Sequence, residues 1–281
     1  MSGEASWQCW GESVLGATHR HRGVVNQDAL WLNSQPPVGL ALSDGHGSSP
    51  CFRSHLGSQF AVELVGQWLT RGLGCCAQNP KPGQPALKDS KALFQKLVEL
   101  WNEQVDRHIQ EYPFSTHEKL LLKASASEPQ QRRLAYGATL LAASEDVHSF
   151  ALLQLGDGDI VAVDPQGRPS RPMPEDARLF GDETTSLCLP LANEDFRSAF
   201  LSKSEVDLLL MATDGYGNSF KDPKGLEKMA VELWKIIREE GREGLRDLRS
   251  WLAETTAEGS GDDITVGLIV RSRLIGVGAR V

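Results

Sequence analysis

Residues 206–215, VDLLLMATDG, are the most informative stretch of this chain. Its first seven residues are almost continuously apolar and have the length of a strand that is buried on both faces. Asp214 and Gly215 follow where such a strand would end. The stretch therefore predicts a core strand that carries a carboxylate at its end.

Other short apolar runs also have strand length, and four stretches have helical periodicity. Further strands are predicted at 29–32, 38–42, 135–143, 148–155, 160–163 and 264–270, and helices at 56–69, 93–109, 226–237 and 245–252. Helices that are grouped between runs of strands favour an α+β fold with antiparallel sheet over an alternating α/β chain. No linker separates two self-sufficient cores, so we expect a single domain over 5–273.

Tryptophans lie on the apolar stripes of the predicted helices. We expect Trp68, Trp101 and Trp251 to be core anchors rather than platforms for a ligand. Residues 72–86 and 165–174 are rich in Gly and Pro and are predicted to be loops.

Composition and charge narrow the possible functions. The chain has 29 Lys and Arg against 37 Asp and Glu, a net charge of −8, which argues against a nucleic-acid groove. No apolar run approaches the roughly 18 residues of a membrane span, and residues 1–10 show no secretory signal. The odd number of cysteines and the absence of a CxxC pair argue against a disulfide framework or a zinc site. We expect reduced thiols in a cytoplasmic protein, with neither nucleic acid nor a membrane as partner. The cysteines are Cys9, Cys51, Cys75, Cys76 and Cys188.

Four aspartates stand beside a glycine at the end of a predicted strand: Asp44, Asp157, Asp214 and Asp262. One Asp-Gly pair is usually only a turn, but four on core strands suggest a shared site. If the strands are neighbours in a sheet, their ends lie about 5–10 Å apart. Carboxylates that close raise one another's pKa unless a cation neutralises them, and oxygen ligands favour Mg²⁺ or Mn²⁺. A two-cation carboxylate site is therefore predicted.

Such a site is suited to the hydrolysis of phosphate esters. Two cations roughly 3.5–4 Å apart lower the pKa of a water and neutralise the phosphate charge. The leaving alkoxide needs a proton, and His46, two residues after Asp44, is the predicted general acid. No role is assigned to the other histidines, which are His19, His21, His55, His108, His117 and His148.

Six motifs resemble the metal-dependent PP2C-type (PPM) Ser/Thr protein phosphatases, and especially their compact bacterial branch. In chain order they are RGVVNQDAL, LALSDGHGS, YGATLLAA, LGDGDIVAV, LLLMATDGY and SGDDITVGLIV. The resemblance implies a four-layer αββα sandwich, with two central antiparallel sheets flanked by helices. It also implies a Mn²⁺- or Mg²⁺-dependent enzyme that dephosphorylates phosphoserine and phosphothreonine in proteins, opposing a Ser/Thr kinase. A hydroxide bound at the two-metal centre would attack phosphorus with no covalent intermediate.

The resemblance also assigns residues to roles. Asp44 would bridge both metals, and Asp157 would help to hold a third, more weakly bound one. His46 matches the general acid, Thr139 a supporting structural position, and Asp263 the place of the family's Asn. The implied metal ligands are Asp28, Asp44, the Gly45 carbonyl, Asp157, Asp214 and Asp262.

The first motif departs from the family pattern at two positions. Gln27 replaces the usual Glu and can offer a carbonyl oxygen but no charge. Gly23 occupies the place of the phosphate-binding Arg, so Arg22 is predicted to take that role, with Arg20 next. The reading of both arginines as solvated surface charges stays open.

Two other functions stay open at this point. The departures at Gln27 and Gly23 are compatible with a catalytically silent phosphoprotein-binding or regulatory module. A two-metal hydrolase for a small phosphate ester, or a cyclase-like partner switch, would use similar chemistry. The loops 72–86 and 173–195 are expected to influence substrate choice, the second as a flap just before the Asp214 strand.

Overall fold

The structure is a computed structural model that describes residues 7–70, 90–122, 128–176 and 184–275. The strands are β1 (Trp7–Val14), β2 (Ala29–Asn33), β3 (Gly39–Ser43), β4 (Leu140–Glu145), β5 (Ser149–Leu155), β6 (Asp159–Val163), β7 (Pro169–Ser170), β8 (Arg197–Ser202), β9 (Leu208–Ala212) and β10 (Ile264–Arg271). The α-helices are α1 (Ala17–Arg22), α2 (Ser54–Leu69), α3 (Ser90–Glu111), α4 (Thr116–Leu121), α5 (Glu128–Leu134), α6 (Ala192–Asp195), α7 (Asp214–Gly217), α8 (Gly225–Glu240), α9 (Leu248–Glu258) and α10 (Ser272–Ile275).

The strands form two five-stranded sheets in which every pairing is antiparallel. Sheet I has the order β1-β10-β9-β6-β7, and sheet II has the order β2-β3-β4-β5-β8. Strand β10 pairs with β1 along its whole length, from Trp7–Arg271 to Val14–Ile264. This pairing joins the first and last described segments of the chain.

The two sheets pack face to face, and helices cover the outer face of each. On β9, Leu209 and Met211 point into the layer between the sheets, whereas Leu208 and Leu210 pack against α8 and α9. Sheet II is covered in the same way by α2 and α3, with Trp101 fully buried. Because both faces of the central strands are covered, they are apolar at consecutive positions. The predicted αββα sandwich is confirmed.

The predicted elements differ from the observed ones in several places. The strand predicted from 135 begins only at Leu140, because α5 and a turn occupy the preceding residues. Strands β1 and β8 were not predicted, and β7 lies inside the predicted loop 165–174. The segment 173–195 precedes β8 rather than the Asp214 strand. The predicted loop 72–86 lies outside the described residues.

One predicted core anchor was wrong. Trp251 is 36% exposed, since α9 begins at Leu248 and turns Leu248, Leu252 and Thr256 toward the core. These residues recur every four positions, as one face of a helix requires.

Three of the five cysteines lie in the described ranges. Cys9, Cys51 and Cys188 are buried, and they form no disulfide bond with one another. Cys75 and Cys76 lie outside these ranges. Across the same part of the chain, no helix is both long and apolar enough to cross a bilayer.

Candidate active site

The four predicted aspartates meet at one end of the sandwich and come from both sheets. Asp44 follows β3 and Asp157 follows β5 in sheet II, whereas Asp214 follows β9 and Asp262 precedes β10 in sheet I. All four line one cavity of about 950 Å³. The sequence argument considered neighbouring strands of one sheet, but the packing of two sheets is what brings these strand ends together.

Three of the aspartates form a tight cluster. Asp44, Asp157 and Asp214 each offer a carboxylate oxygen, and these oxygens lie within 4.8 Å of one another. Thr139 holds Asp44 in place: its hydroxyl accepts the Asp44 N–H at 3.0 Å, and its own N–H donates to the Asp44 carbonyl at 2.8 Å. The Asn218 side chain donates to Asp214 Oδ2 at 3.0 Å.

The first motif places two further oxygens beside this cluster. Asp28 Oδ2 accepts a hydrogen bond of 2.7 Å from the Thr213 hydroxyl, while its Oδ1 is buried with no hydrogen-bond partner. Gln27 is buried, and its Oε1 also has no hydrogen-bond partner. Buried polar atoms are normally satisfied, and a cation bound beside these two oxygens would satisfy both.

Burial and mutual repulsion perturb these carboxyl groups. Burial, reinforced by the charges of Asp263 and Asp214 and opposed by the Thr213 and Thr265 hydroxyls, raises the pKa of Asp28 to about 7. Burial and the neighbouring Asp28 and Asp214 hold the pKa of Asp44 well above its usual value. The pKa of Asp214 is raised too, first by burial and then by other nearby carboxylates.

The donor set fits hard divalent cations. Neither Lys nor Arg is among the described residues that line the cavity, so no side-chain cation there balances the carboxylates. Carboxylate, carbonyl and amide oxygens are the ligands that Mg²⁺ and Mn²⁺ prefer. A bound cation would satisfy the orphaned oxygens of Asp28 and Gln27 and remove the repulsion that raises the pKa values.

Close backbone packing explains the glycine after two of the aspartates. A Cβ on Gly45 would lie 2.7 Å from the Gln27 carbonyl oxygen and 2.8 Å from the Ser54 backbone. A Cβ on Gly215 would lie 2.1 Å from the Asp263 carbonyl oxygen. These contacts leave no room for a side chain, so the Asp-Gly pairs hold the strand ends together as well as turning the chain.

His46 lines the same cavity as the aspartates. The backbone N–H of His46 donates to the Gly137 carbonyl at 3.0 Å, and this hydrogen bond anchors the loop after β3. Burial lowers the pKa of His46, and the charge of Asp157 opposes this effect. A lower pKa makes the protonated imidazole a stronger acid and leaves a smaller fraction of it protonated at neutral pH.

The predicted phosphate-binding arginines lie outside the cavity lining. Arg22 is the last residue of α1 and is exposed. Arg20 is also exposed, with its guanidinium 3.5 Å from the Leu15 carbonyl. The role of Arg22, with Arg20 next, stays a prediction.

Sequence reasoning missed two residues at this site. His19, which was assigned no role, lies 3.0 Å from Asp263 and 3.7 Å from Asp262. Asn218, one helical turn after Asp214, contacts its carboxylate. The spacing to Asn218 was a usable signal, whereas nothing in the local sequence around His19 indicates its position.

The segment 184–191 forms one wall of the cavity. Thr184, Ser186, Cys188 and Leu189 line it together with the loop that carries His46. Ser186 joins this wall to the residues before β4, because the Ala138 N–H donates to its hydroxyl and that hydroxyl donates to the Ala138 carbonyl. The wall belongs to the segment 173–195 that was predicted to be a flap.

Comparisons with known proteins agree with this architecture. Among solved structures, the chain is similar to the serine/threonine phosphatase Stp1 from Staphylococcus aureus, with 16% identity, TM-score 0.57 and coverage of 96% of this chain and 97% of that one. It is also similar to PppA, described as a key regulatory component of T6SS in Pseudomonas aeruginosa. The identity is 14% and the TM-score 0.59, and the match covers 95% of this chain and 98% of PppA. A third similar structure is the catalytic domain of the serine/threonine protein phosphatase PstP in complex with two manganese ions. Its identity to this chain is 15% and the TM-score 0.56, and the match covers 95% of this chain and 99% of that domain.

Sequence comparison identifies the family directly. No curated protein matches the chain. The profile of the family described as Protein phosphatase 2C matches residues 15–254, which is most of the sequence. The resemblance drawn from the six motifs is thereby confirmed, and the chain belongs to the protein phosphatase 2C family of phosphoprotein phosphatases.

Proposed function

We propose that this protein is a Mn²⁺- or Mg²⁺-dependent phosphatase that hydrolyses phosphoserine and phosphothreonine in proteins, in a single domain over 5–273. The observation that carries the proposal is the cluster of Asp44, Asp157 and Asp214, whose carboxylate oxygens lie within 4.8 Å of one another. The pKa values of Asp44 and Asp214 are raised, as expected of clustered carboxylates whose charges no cation neutralises.

The ligands fall into two groups. Asp28, Asp44, the Gly45 carbonyl, Asp214 and Asp262 would hold two cations, and Asp157 would help to hold a third. When bound, such cations lower the pKa of a coordinated water and neutralise phosphate charge. The Thr139 and Thr213 hydroxyls fix the orientation of Asp44 and Asp28 for this task.

Two further residues act on the substrate in this proposal. His46 holds the proton that the leaving side-chain oxygen takes up, and its place on the cavity wall suits that role. Arg22 remains the predicted phosphate ligand, reaching from the end of α1. Because no covalent intermediate is proposed, none of the buried cysteines has a role in the chemistry.

The named relatives support the finer points. Stp1 is a serine/threonine phosphatase, and PstP was crystallised with two manganese ions, so we extend phosphoprotein substrates and a preference for manganese or magnesium to this chain. An opposing Ser/Thr kinase and a cytoplasmic location, without nucleic-acid or membrane partners, complete the proposal.

A silent phosphoprotein-binding module is the second candidate. The observation that favours it is Gln27, which lacks the charge of the family's Glu. The orphaned Oε1 of Gln27 and the four intact aspartates argue against it, since a site that no longer binds cations has no need of them.

The decisive experiment measures hydrolysis of a phosphothreonine peptide and of p-nitrophenyl phosphate with Mn²⁺, Mg²⁺ or EDTA. Asp214→Asn should reduce activity at least a hundredfold, since loss of a ligand costs several kcal/mol of transition-state stabilisation. Asp146→Asn, at an exposed turn after β4, should leave activity unchanged. Calorimetry should show weaker Mn²⁺ binding only in Asp214→Asn.

Each alternative has its own outcome in this experiment. If the folded, Mn²⁺-loaded protein binds the peptide but does not hydrolyse it, the silent module is correct. If it hydrolyses only the small ester, the protein acts on a small phosphate ester instead. Activity that persists in EDTA would contradict the metal-dependent mechanism.

A further inference from the structure

His19 lies on α1 beside one of the proposed metal ligands. Its Nε2 is 3.7 Å from Asp262 Oδ1, and its Nδ1 is 3.0 Å from Asp263 Oδ2. One donor atom from each of these three residues lies within 4.8 Å of the others. Only 14% of its side chain is exposed, so most of the imidazole is packed against neighbouring residues.

Asp263, whose carboxylate lies nearest to His19 Nδ1, is held firmly in place. It is 3% exposed, and its two oxygens accept the N–H groups of Gly16 and Gln27, both at 2.7 Å. Helix α1 is tied to the same region, since the Thr18 N–H donates to the Gly261 carbonyl at 2.8 Å. Nδ1 lies on the Asp263 side of the ring, where it is a buried atom with no hydrogen-bond partner, and Nε2 lies on the Asp262 side. A neutral imidazole nitrogen is a common metal ligand.

A second observation points to a ligand in the same space. Gln27 is 8% exposed, and its buried Oε1 has no hydrogen-bond partner. A Cβ on Gly47 would lie 3.2 Å from this oxygen and 3.7 Å from His19 Nε2. Both atoms therefore border the space above Gly47, and Gly47 and Asp262 line the same cavity.

We propose that His19 Nε2 is a nitrogen ligand of the divalent cation held by Asp262. This inference rests on the proposed metal-dependent function and adds a donor that the sequence argument, based on oxygen ligands, did not contain. An imidazole donor shifts affinity from Mg²⁺ toward Mn²⁺, because nitrogen ligands suit transition metals better than magnesium. The site is thereby specialised for manganese.

The test is pulsed electron paramagnetic resonance of the Mn²⁺-loaded protein. Wild type should show modulation from a directly coordinated ¹⁴N, and His19→Gln should lose it while still binding Mn²⁺. His21→Gln, on the same helix at an exposed position, should keep the modulation. By calorimetry, His19→Gln should raise the Kd for Mn²⁺ about tenfold or more and change the Kd for Mg²⁺ less.

The outcomes separate this inference from the function on which it rests. The His19 assignment is overturned if wild type binds Mn²⁺ but shows no ¹⁴N modulation. It is also overturned if His19→Gln shows the same modulation as wild type. Either result leaves the phosphatase proposal intact. If wild type binds no Mn²⁺ at all, both fail. Because the wild-type spectrum alone can overturn the assignment, the test does not depend on the folding of a variant.

Discussion

At the scale of single residues, Asp263 connects segments that are far apart in the chain. Its carboxylate accepts the N–H of Gly16 and of Gln27, which lie 247 and 236 residues earlier. It thereby holds the first motif against the start of β10 and brings Gln27 and Asp28 to the site. A small displacement of the first motif would therefore move two oxygens of the proposed metal site.

Arg22 is the residue whose predicted role is most open to test. Arg22→Ala should raise KM for a phosphothreonine peptide about tenfold, because a charge-assisted hydrogen bond to phosphate contributes roughly 1.5–3 kcal/mol. Arg20→Ala, on the same helix, should have a smaller effect, and neither change should alter Mn²⁺ affinity. Steady-state kinetics checks the prediction, and equal KM values in wild type and Arg22→Ala would show that Arg22 is a solvated surface charge.

At the scale of secondary-structure elements, a buried ion pair joins the end of β10 to the start of β9. Asp207 is 2% exposed, and its carboxylate accepts hydrogen bonds from Arg271 and Arg273, both at 2.8 Å. Arg271 is 9% exposed and lies over the Trp7 ring of β1, with 4.5 Å from its Cζ to the ring centroid. Three strands of sheet I are therefore fastened at the end opposite to the active site.

Removal of Asp207 should destabilise the protein strongly. Asp207→Ala leaves Arg271 buried without its partner, which typically costs about 3–5 kcal/mol. Arg273→Ala removes a mostly exposed partner and should cost about 1 kcal/mol or less. Urea unfolding of the two variants measures the difference, and equal losses would mean that the Asp207–Arg271 pair is not the main contributor.

At the scale of the whole molecule, the site concentrates electrostatic repulsion at one end of an otherwise well-packed sandwich. Apolar layers fill the space between the sheets and under both helical layers. At one end, by contrast, burial and repulsion raise the pKa values of Asp28, Asp44 and Asp214. The fold holds these carboxylates together against their repulsion, so metal binding and global stability should be linked.

The metal-free protein should lose stability as pH rises. A pKa of about 7 for folded Asp28, above the ordinary value of 3.8, means that the folded state binds this proton more tightly than the unfolded state. The stability that this proton contributes to the folded state is therefore complete below about pH 4 and is lost as pH rises through 7. In EDTA, Asp28→Asn should show a smaller fall in Tm than wild type over this range. Equal pH profiles would contradict the raised pKa.

Mn²⁺ should reverse this loss. At a Mn²⁺ concentration of 100 times Kd, binding adds about 2.7 kcal/mol, which should raise the Tm of wild type by roughly 5–10 °C at pH 7. Asp28→Asn, which lacks one proposed ligand charge, should gain less. Scanning calorimetry with Mn²⁺ or EDTA checks this, and equal gains in both proteins would exclude Asp28 as a ligand.

Much of the architecture could be predicted from local patterns. The runs at 206–212 and 264–270 became β9 and β10 because consecutive apolar residues suit strands covered on both faces. Strands β1 and β8 were missed because polar residues such as Glu12 and Arg197 interrupt their apolar pattern. Trp251 was wrongly predicted to be a core residue, because the face of a helix that is buried depends on how the helix packs, and α9 buries Leu248, Leu252 and Thr256 instead.

By itself, the sequence determined the layered α+β fold, the family and the identity of the clustered aspartates, because periodicity, residue type and motif order are local properties. Only the tertiary structure decided that Asp44 and Asp157 from one sheet meet Asp214 and Asp262 from the other. It also decided that His19 lies against Asp262 while Arg22 is exposed. The physical reason is that these distances depend on how two sheets and a short helix pack, which involves residues more than 200 positions apart.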